Sequence, residues 1–130
     1  MPNTEAATSR YSVLCVDDEQ NILRSIKRAL FSLKIDLTLA ESGEEALAIM
    51  AQKTIHVVIS DMKMPHMTGA ELLEKVAAKY PDTFRVVLTG FADIDATIKA
   101  VNQGRIHRYL QKPWDNQELI NTIEEGLERV

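Results

Sequence analysis

Residues 55–69 read I-H-V-V-I-S-D-M-K-M-P-H-M-T-G, and they indicate how the whole chain is organised. The run opens with apolar, largely β-branched residues, which predicts a short buried strand, and this strand ends abruptly at Asp61. A carboxylate directly after a buried strand is costly unless it is solvated or has partners. The carboxyl edge of a parallel sheet offers both, and Pro65 and Gly69 then mark an irregular loop before the next helix. We therefore expect Asp61 to lie at a ligand-binding edge of a sheet.

Length and composition fit one globular domain that buries a core. The chain has 130 residues, of which 45% are hydrophobic, and a net charge of −4. The negative charge argues against direct binding of nucleic acid, and no apolar run is long enough to span a membrane. Residues 1–10 lack the apolar stretch of a signal peptide and are expected to be a flexible tail, with the domain at 11–130. The lone Cys15 has no partner for an internal disulfide, which indicates a cytoplasmic protein.

Apolar strands and amphipathic helices alternate along the chain. The five predicted strands lie at residues 11–16, 35–39, 55–60, 84–88 and 106–110. Capping boxes at Ser42, Thr68 and Asp115 predict the starts of three helices, and Gly104 is placed to end another in a left-handed turn. That helix, over 93–102, carries its apolar residues on one predicted side: Ile94, Ile98 and Val101. Strict alternation of strands and helices requires a parallel sheet with helices on both faces, a doubly wound α/β fold of three layers.

The order of the strands brings distant polar residues to one edge. The second strand alternates as I-D-L-T-L and so has one wet face, which places it at an edge of the sheet. With right-handed crossovers the order 2-1-3-4-5 fits best, as in flavodoxin-like (βα)5 folds. Strands one and three then flank the switch point, where Asp17, Asp18 and Asp61 meet. Thr89 and Lys112 follow strands four and five and reach the same edge.

The chemistry of these five residues favours phosphoryl transfer. Three carboxylates in one crevice repel each other unless they share protons or hold a cation. Oxygen ligands without cysteine or histidine favour Mg²⁺. A cation, a lysine and a hydroxyl around a carboxylate form a site in which that carboxylate can become an aspartyl phosphate. Taken singly, each residue also has a plainer role: Asp17 or Asp18 could cap a helix, Thr89 could be a turn residue, and Lys112 could be solvated.

The chain resembles the receiver domain of two-component response regulators over residues 11–130. The matching pieces, in the order and spacing of that family, are V-L-C-V-D-D-E, I-S-D-M-K-M-P-H-M-T-G, V-V-L-T-G and R-Y-L-Q-K-P-W. Each motif alone is weak, but together they are highly specific. The family is known for the strand order 2-1-3-4-5, so the resemblance and the strand pattern are not independent evidence for it.

The resemblance implies a phosphoacceptor and a metal site. Asp61 would accept a phosphoryl group from a sensor histidine kinase and would later lose it slowly to water. Asp18 and Asp61 would bind Mg²⁺ directly, together with the backbone carbonyl of Lys63, and Asp17 would hold the ion through water. Such a protein promotes its own phosphorylation without being an enzyme of the ordinary kind.

The resemblance also implies a switch. Thr89 and Lys112 would contact the phosphoryl group, and the Lys112–Pro113 peptide bond is expected to be cis. Tyr109 matches the aromatic residue that would rotate into the space left by Thr89. This movement would change the surface formed by the fourth helix, the fifth strand and the last helix. Gly90 departs from the family, in which alanine is frequent at this position, and predicts a more mobile loop.

The expected partners are a sensor histidine kinase and an output domain that is absent from this chain. The ending G-R-I-H-R-Y-L-Q-K-P-W is similar to receivers attached to cyclic-di-nucleotide signalling enzymes. A homodimer through the switching surface is a further expectation. One alternative is a pseudo-receiver that serves only as a docking or dimerisation module. Another is a flavin binder, but D-D-E-Q-N after the first strand lacks the glycines and hydroxyls of a phosphate cradle.

Overall fold

A computed structural model describes residues 11–103 and 105–129 of the chain. The strands are β1 (Tyr11–Val16), β2 (Ile35–Ala40), β3 (Val57–Asp61), β4 (Phe84–Thr89) and β5 (Arg108–Gln111). The helices are α1 (Gln20–Ala29), α2 (Gly43–Gln52), α3 (Gly69–Lys79), α4 (Ile94–Asn102) and α5 (Asn116–Leu127), and a 3₁₀ turn (Phe91–Asp93) precedes α4. The expected tail at 1–10 and the expected turn at Gly104 lie outside the described residues.

The five strands form one parallel sheet in the order β2-β1-β3-β4-β5, as predicted. The edge position of β2 is also confirmed: it is only half buried, and its Asp36 is exposed and paired with Lys53 at 3.1 Å. Asp61 and Thr89 are the last residues of β3 and β4 rather than the first residues of loops. Each therefore has its backbone fixed by the sheet.

Helices cover both faces of the sheet, which makes three layers. Successive residues of β1 point to opposite faces, so Leu14 packs with α2, α3 and α4, whereas Val13 packs with α1 and α5. Both layers consist mainly of buried aliphatic side chains, whose removal from water is the main stabilising contribution to the fold. No helix within 11–103 and 105–129 is both long and apolar enough to cross a membrane.

Two strands begin two residues later than predicted because histidine side chains continue the strand ladder there. The His56 N–H donates to the Ser12 carbonyl at 2.9 Å, and its Nδ1 accepts from the Ser12 N–H at 2.9 Å. His107 forms the same pair of bonds with Arg85, at 2.8 and 2.9 Å. In each case an imidazole nitrogen takes the place of a carbonyl oxygen, so the pairing of strands extends beyond the regular strand.

The three predicted helix starts are capped, but a complete capping box forms at only one of them. The side chains of Ser42, Thr68 and Asp115 each accept from the N–H three residues later, at 3.1, 3.1 and 3.0 Å. At Thr68 the Glu71 carboxylate also accepts from the Thr68 N–H, which completes the box. At α2 the carboxylate of Glu45 accepts instead from the N–H of Glu41, one residue before the cap.

Candidate functional site

Three carboxylates meet at the carboxyl edge of the sheet between β1 and β3. Because these strands are neighbours in register, with Val16 opposite Ser60, the residues that follow Val16 lie beside Asp61. One carboxylate oxygen from each of Asp17, Asp18 and Asp61 lies within 4.8 Å of the others. Asp17 is 0% exposed and Asp61 6%, whereas Asp18 is exposed. The structure therefore brings together the acidic residues that the sequence predicted to converge.

Lys112 reaches the carboxylates from β5, the edge strand opposite β2. It follows β5, and its backbone N–H donates to the Thr89 carbonyl at 2.9 Å. Its Nζ lies 2.7 Å from Asp61 Oδ1 and 3.4 Å from Asp17 Oδ2. The Lys112–Pro113 peptide bond is cis. The ammonium group thus contacts two of the three carboxylates.

The charges in this cleft are not balanced. Burial raises the pKa of Asp17, and the negative charge of Asp61 raises it further. The N–H of Glu19 donates to the Asp17 carboxylate at 2.9 Å and lowers this pKa. Burial alone would lower the pKa of Lys112, but its hydrogen bond to Asp61 and the charges of Asp17 and Asp61 outweigh burial and raise this pKa. The lysine therefore stays charged. One ammonium group among three carboxylates leaves an excess of negative charge that a cation would offset.

Thr89 lies at the same edge, but its hydroxyl group is engaged on the side of α4. The residue is fully buried. Its Oγ1 donates to the Gly90 carbonyl at 3.2 Å and accepts from Thr97 Oγ1 at 3.0 Å. Within the described part of the chain, no hydrogen bond joins this hydroxyl to Asp61 or Lys112. The backbone of Thr89 is thus in the predicted place, while its side chain faces α4.

Thr97 is the residue near the site that the sequence did not reveal. Of the residues predicted on the apolar side of α4, Val101 packs partly buried against the core but Ile98 is 40% exposed, and the buried positions are Thr97 and Ala100. The available signal was a threonine three residues before an alanine, but three larger apolar residues on the adjacent side outweighed it. Tyr109 of β5 is likewise 40% exposed.

The loop after Asp61 is held tightly against it. Gly69 begins α3, and its N–H donates to the Met62 carbonyl at 2.8 Å. A Cβ at this glycine would overlap the backbone carbonyl oxygen of Asp61. Within the loop His66 has a positive φ of 69°, and the side chain of Lys63 is exposed. The close approach of α3 therefore fixes the backbone that carries Asp61.

Comparison with known proteins assigns the chain to a family. Residues 13–124 match the family model of the response regulator receiver domain, so the chain belongs to that family. A solved structure of an uncharacterized protein from Neptuniibacter caesariensis aligns with a TM-score of 0.89 at 45% identity, covering 92% of this chain and 88% of that one. The signal receiver domain of an HD domain-containing protein from Pseudomonas fluorescens Pf-5 aligns with a TM-score of 0.86 at 39% identity, covering 92% and 95%.

The match to a curated relative covers most of this chain but only part of the relative. The hydrogenase transcriptional regulatory protein HoxA of Cupriavidus necator is 34% identical over 117 residues, which are 90% of this chain and 24% of HoxA. The chain thus spans about a quarter of the length of the curated relatives it matches. Receiver domains take phosphate from histidine kinases, typically bind Mg²⁺ at an acidic pocket and are linked to output domains. Membership of this family leaves the flavin-binder alternative without support.

Proposed function

We propose that the chain is a phosphorylatable switch in which Asp61 accepts a phosphoryl group from the phosphohistidine of a sensor histidine kinase. The observation that carries the proposal is the contact of 2.7 Å between Lys112 Nζ and Asp61 Oδ1 within a cluster of three carboxylates. A structural ion pair would not need two further acids beside it, since their mutual repulsion costs stability. The kinase would meet this domain in the cytoplasm.

The chemistry at Asp61 is a direct displacement. A carboxylate oxygen of Asp61 attacks phosphorus, and a P–O bond forms while the P–N bond of the donor breaks. The electron pair of the broken P–N bond goes to the imidazole nitrogen of the donor. The Lys112 ammonium offsets charge on the phosphoryl oxygens, and the Thr89 hydroxyl donates to one of them. Attack of water on phosphorus, with Asp61 as the leaving group, slowly resets the switch.

The acidic cluster fits Mg²⁺. Its three carboxylate oxygens within 4.8 Å are hard ligands, and no cysteine or histidine of the described residues joins them. Asp18, Asp61 and the backbone carbonyl of Lys63 would hold the ion directly, and Asp17 would hold it through water. When bound, the ion supplies positive charge that neutralises the phosphoryl oxygens.

The output of the switch is the surface formed by α4, β5 and α5. When Thr89 turns toward the phosphoryl group, Tyr109 rotates into the vacated space and the exposed face of α4 is repositioned. This surface would contact the output domain or a second copy of the chain. One candidate output is an enzyme of cyclic-di-nucleotide signalling, whereas the likeness to HoxA, a transcriptional regulatory protein, supports a transcriptional output.

Titration with beryllofluoride and Mg²⁺, followed by two-dimensional NMR, tests the proposal. Beryllofluoride mimics a phosphoryl group on a carboxylate, so we expect saturable shifts at Thr89 and Tyr109 that disappear in Asp61→Asn. Mg²⁺ alone is the matched control and should move only signals near the three acids. Shifts that are absent, or that persist in Asp61→Asn, would favour a pseudo-receiver that acts as a docking module.

A further inference from the structure

A chain of buried hydroxyl groups connects α4 to the residue that ends β4. Thr97 is 0% exposed and its Oγ1 donates to Thr89 Oγ1 at 3.0 Å, and Thr89 Oγ1 in turn donates to the Gly90 carbonyl at 3.2 Å. Thr89 thereby uses its proton and one lone pair away from Asp61. Neither hydroxyl group is exposed to water, so neither can exchange these bonds for bonds to solvent.

This arrangement opposes the role that the proposed function gives to Thr89. To donate to a phosphoryl oxygen on Asp61, Thr89 must release the Gly90 carbonyl and turn its Oγ1 away from α4. That rotation breaks the bond from Thr97, which can then donate to the Asp93 carbonyl one turn earlier in its own helix. The hydrogen bond between the two threonines therefore forms only when the Thr89 hydroxyl group faces α4, and it stabilises that arrangement alone.

We propose that Thr97 is a positioning residue that holds the hydroxyl group of Thr89 on the α4 side and so sets the fraction of unphosphorylated protein that is ready for phosphorylation. The effect on phosphorylation rests on the proposed function. The hydrogen bond from Thr97 to Thr89 does not, because it is present in the unmodified protein. When the competent arrangement is a minor one, the apparent affinity for a ligand falls in proportion to its population.

The surroundings of α4 support such a role. The helix follows a 3₁₀ turn (Phe91–Asp93), and neither the turn nor the helix has a side-chain N-cap. Its first turn is therefore less firmly held than those of α2, α3 and α5, each of which has a side-chain cap. A hydrogen bond from the interior of α4 to the end of β4 then transmits the state of Thr89 to this helix, whose outer face carries Ile98.

The first test measures the Thr89 rotamer in the protein without any phosphoryl mimic. Thr97→Val keeps the shape of the side chain and removes the hydroxyl group, whereas Thr97→Ser keeps the hydroxyl group and serves as the matched control. Three-bond couplings to the Thr89 γ-methyl carbon report its χ1 angle. We expect a single rotamer in the wild type and in Thr97→Ser, and averaging between rotamers in Thr97→Val. A Thr89 χ1 that is unchanged in Thr97→Val overturns the inference.

The second test measures affinity for beryllofluoride at saturating Mg²⁺. Loss of one buried hydrogen bond predicts that Thr97→Val binds about 3- to 10-fold more tightly than the wild type, while Thr97→Ser matches it and affinity for Mg²⁺ alone is unchanged. The gain must vanish when Thr97→Val is combined with Thr89→Ala, because the holding contact then has no acceptor. A gain that persists in the Thr89→Ala background, or no gain at all, contradicts the inference.

The two tests separate this inference from the proposed function. If the wild type fails to bind beryllofluoride, the proposed function is wrong, and the χ1 measurement alone then decides the role of Thr97. If Thr97→Val does not fold, Thr97→Ala removes the same hydroxyl group and replaces it in both measurements. A merely structural role for Thr97 would lower stability without changing the rotamer of Thr89.

Discussion

Lys112 is the residue on which the charge balance of the cleft depends. Its ammonium group contacts Asp61 at 2.7 Å and Asp17 at 3.4 Å, and both acids are buried. Lys112→Met keeps much of the length of the side chain but leaves the carboxylates without this cation. We expect the variant to lose about 1–3 kcal/mol of unfolding free energy without Mg²⁺ at neutral pH, measured by urea denaturation. Asp61→Asn is the matched control and should match or exceed the wild type, since it removes one of the repelling charges.

Two glycines near the site predict opposite effects of the same substitution. Gly90 has an ordinary φ of −83°, and an added Cβ would meet no atom within 4 Å. Gly90→Ala should therefore raise the unfolding free energy by about 0.4–1 kcal/mol, because it restricts the unfolded chain. Gly69→Ala would press against the backbone of Asp61 and should cost about 1–3 kcal/mol. Urea titrations of both variants check the pair, and a destabilised Gly90→Ala would show that the loop needs glycine after all.

The junction of β4 and β5 contains a histidine whose neutral form the fold requires. His107 Nδ1 accepts a hydrogen bond from the Arg85 N–H. Burial lowers the pKa of His107 from 6.5 to about 4, and the positive charges of Arg85, Arg129 and Arg108 add to this effect. The negative charge of Glu125 opposes it. The unfolded chain therefore takes up this proton first. The contribution of neutral His107 to the unfolding free energy is complete above about pH 6.5 and is lost as the pH falls from there toward 4.

His107→Asn tests this dependence on pH. The Oδ1 atom of asparagine lies as far from Cβ along the side chain as Nδ1 of histidine, so it can accept the same hydrogen bond without titrating. We expect unfolding free energies measured between pH 4 and 7.5 to fall less steeply toward acid in the variant than in the wild type. Equal slopes would show that the proton on His107 does not control the junction between these strands.

At the scale of the elements, sequence patterns predicted what depends on periodicity and missed what depends on individual hydrogen bonds. The alternation in β2 and the three capped helix starts follow from local patterns, so the sheet order and helix positions were predictable. The starts of β3 and β5 were not, because the ring nitrogens of His56 and His107 replace carbonyl groups in the ladder. The buried side of α4 was missed because hydroxyl bonding to Thr89 offsets the cost of burying Thr97, which apolar periodicity does not register.

At the scale of the whole molecule, the site exists only because four strands end at one edge. Asp17 follows β1, Asp61 ends β3, Thr89 ends β4 and Lys112 follows β5, so residues up to 95 positions apart come into contact. No local segment carries the site, which explains why each motif is weak evidence alone. The same assembly places three acids at the end of a buried sheet, and the fold therefore accommodates a repulsion that a bound cation can relieve.

We expect this repulsion to make the stability of the whole domain depend on Mg²⁺ and on the charge of Asp17. Because burial raises the pKa of Asp17, the folded protein binds that proton more tightly than the unfolded chain does. Its contribution to stability is therefore complete below the pKa of the unfolded chain and is lost as the pH rises through the raised pKa of the folded protein. We expect Asp17→Asn to be more stable than the wild type at pH 7 without metal, since asparagine can still accept from the Glu19 N–H.

Adding Mg²⁺ should reverse that ranking. An ion that binds only the folded protein stabilises it by about 2.7 kcal/mol at 100 times its Kd, and Asp17→Asn should gain much less because it has lost one acid of the cluster. Thermal unfolding of both proteins with and without Mg²⁺ at pH 7 measures the two gains. Lys53→Met, which removes an exposed ion pair remote from the cluster, is the matched control and should keep the full gain in Tm. If Asp17→Asn gains as much from Mg²⁺ as the wild type, Asp17 takes no part in holding the ion, and the ion must then be held by the other acids of the cluster.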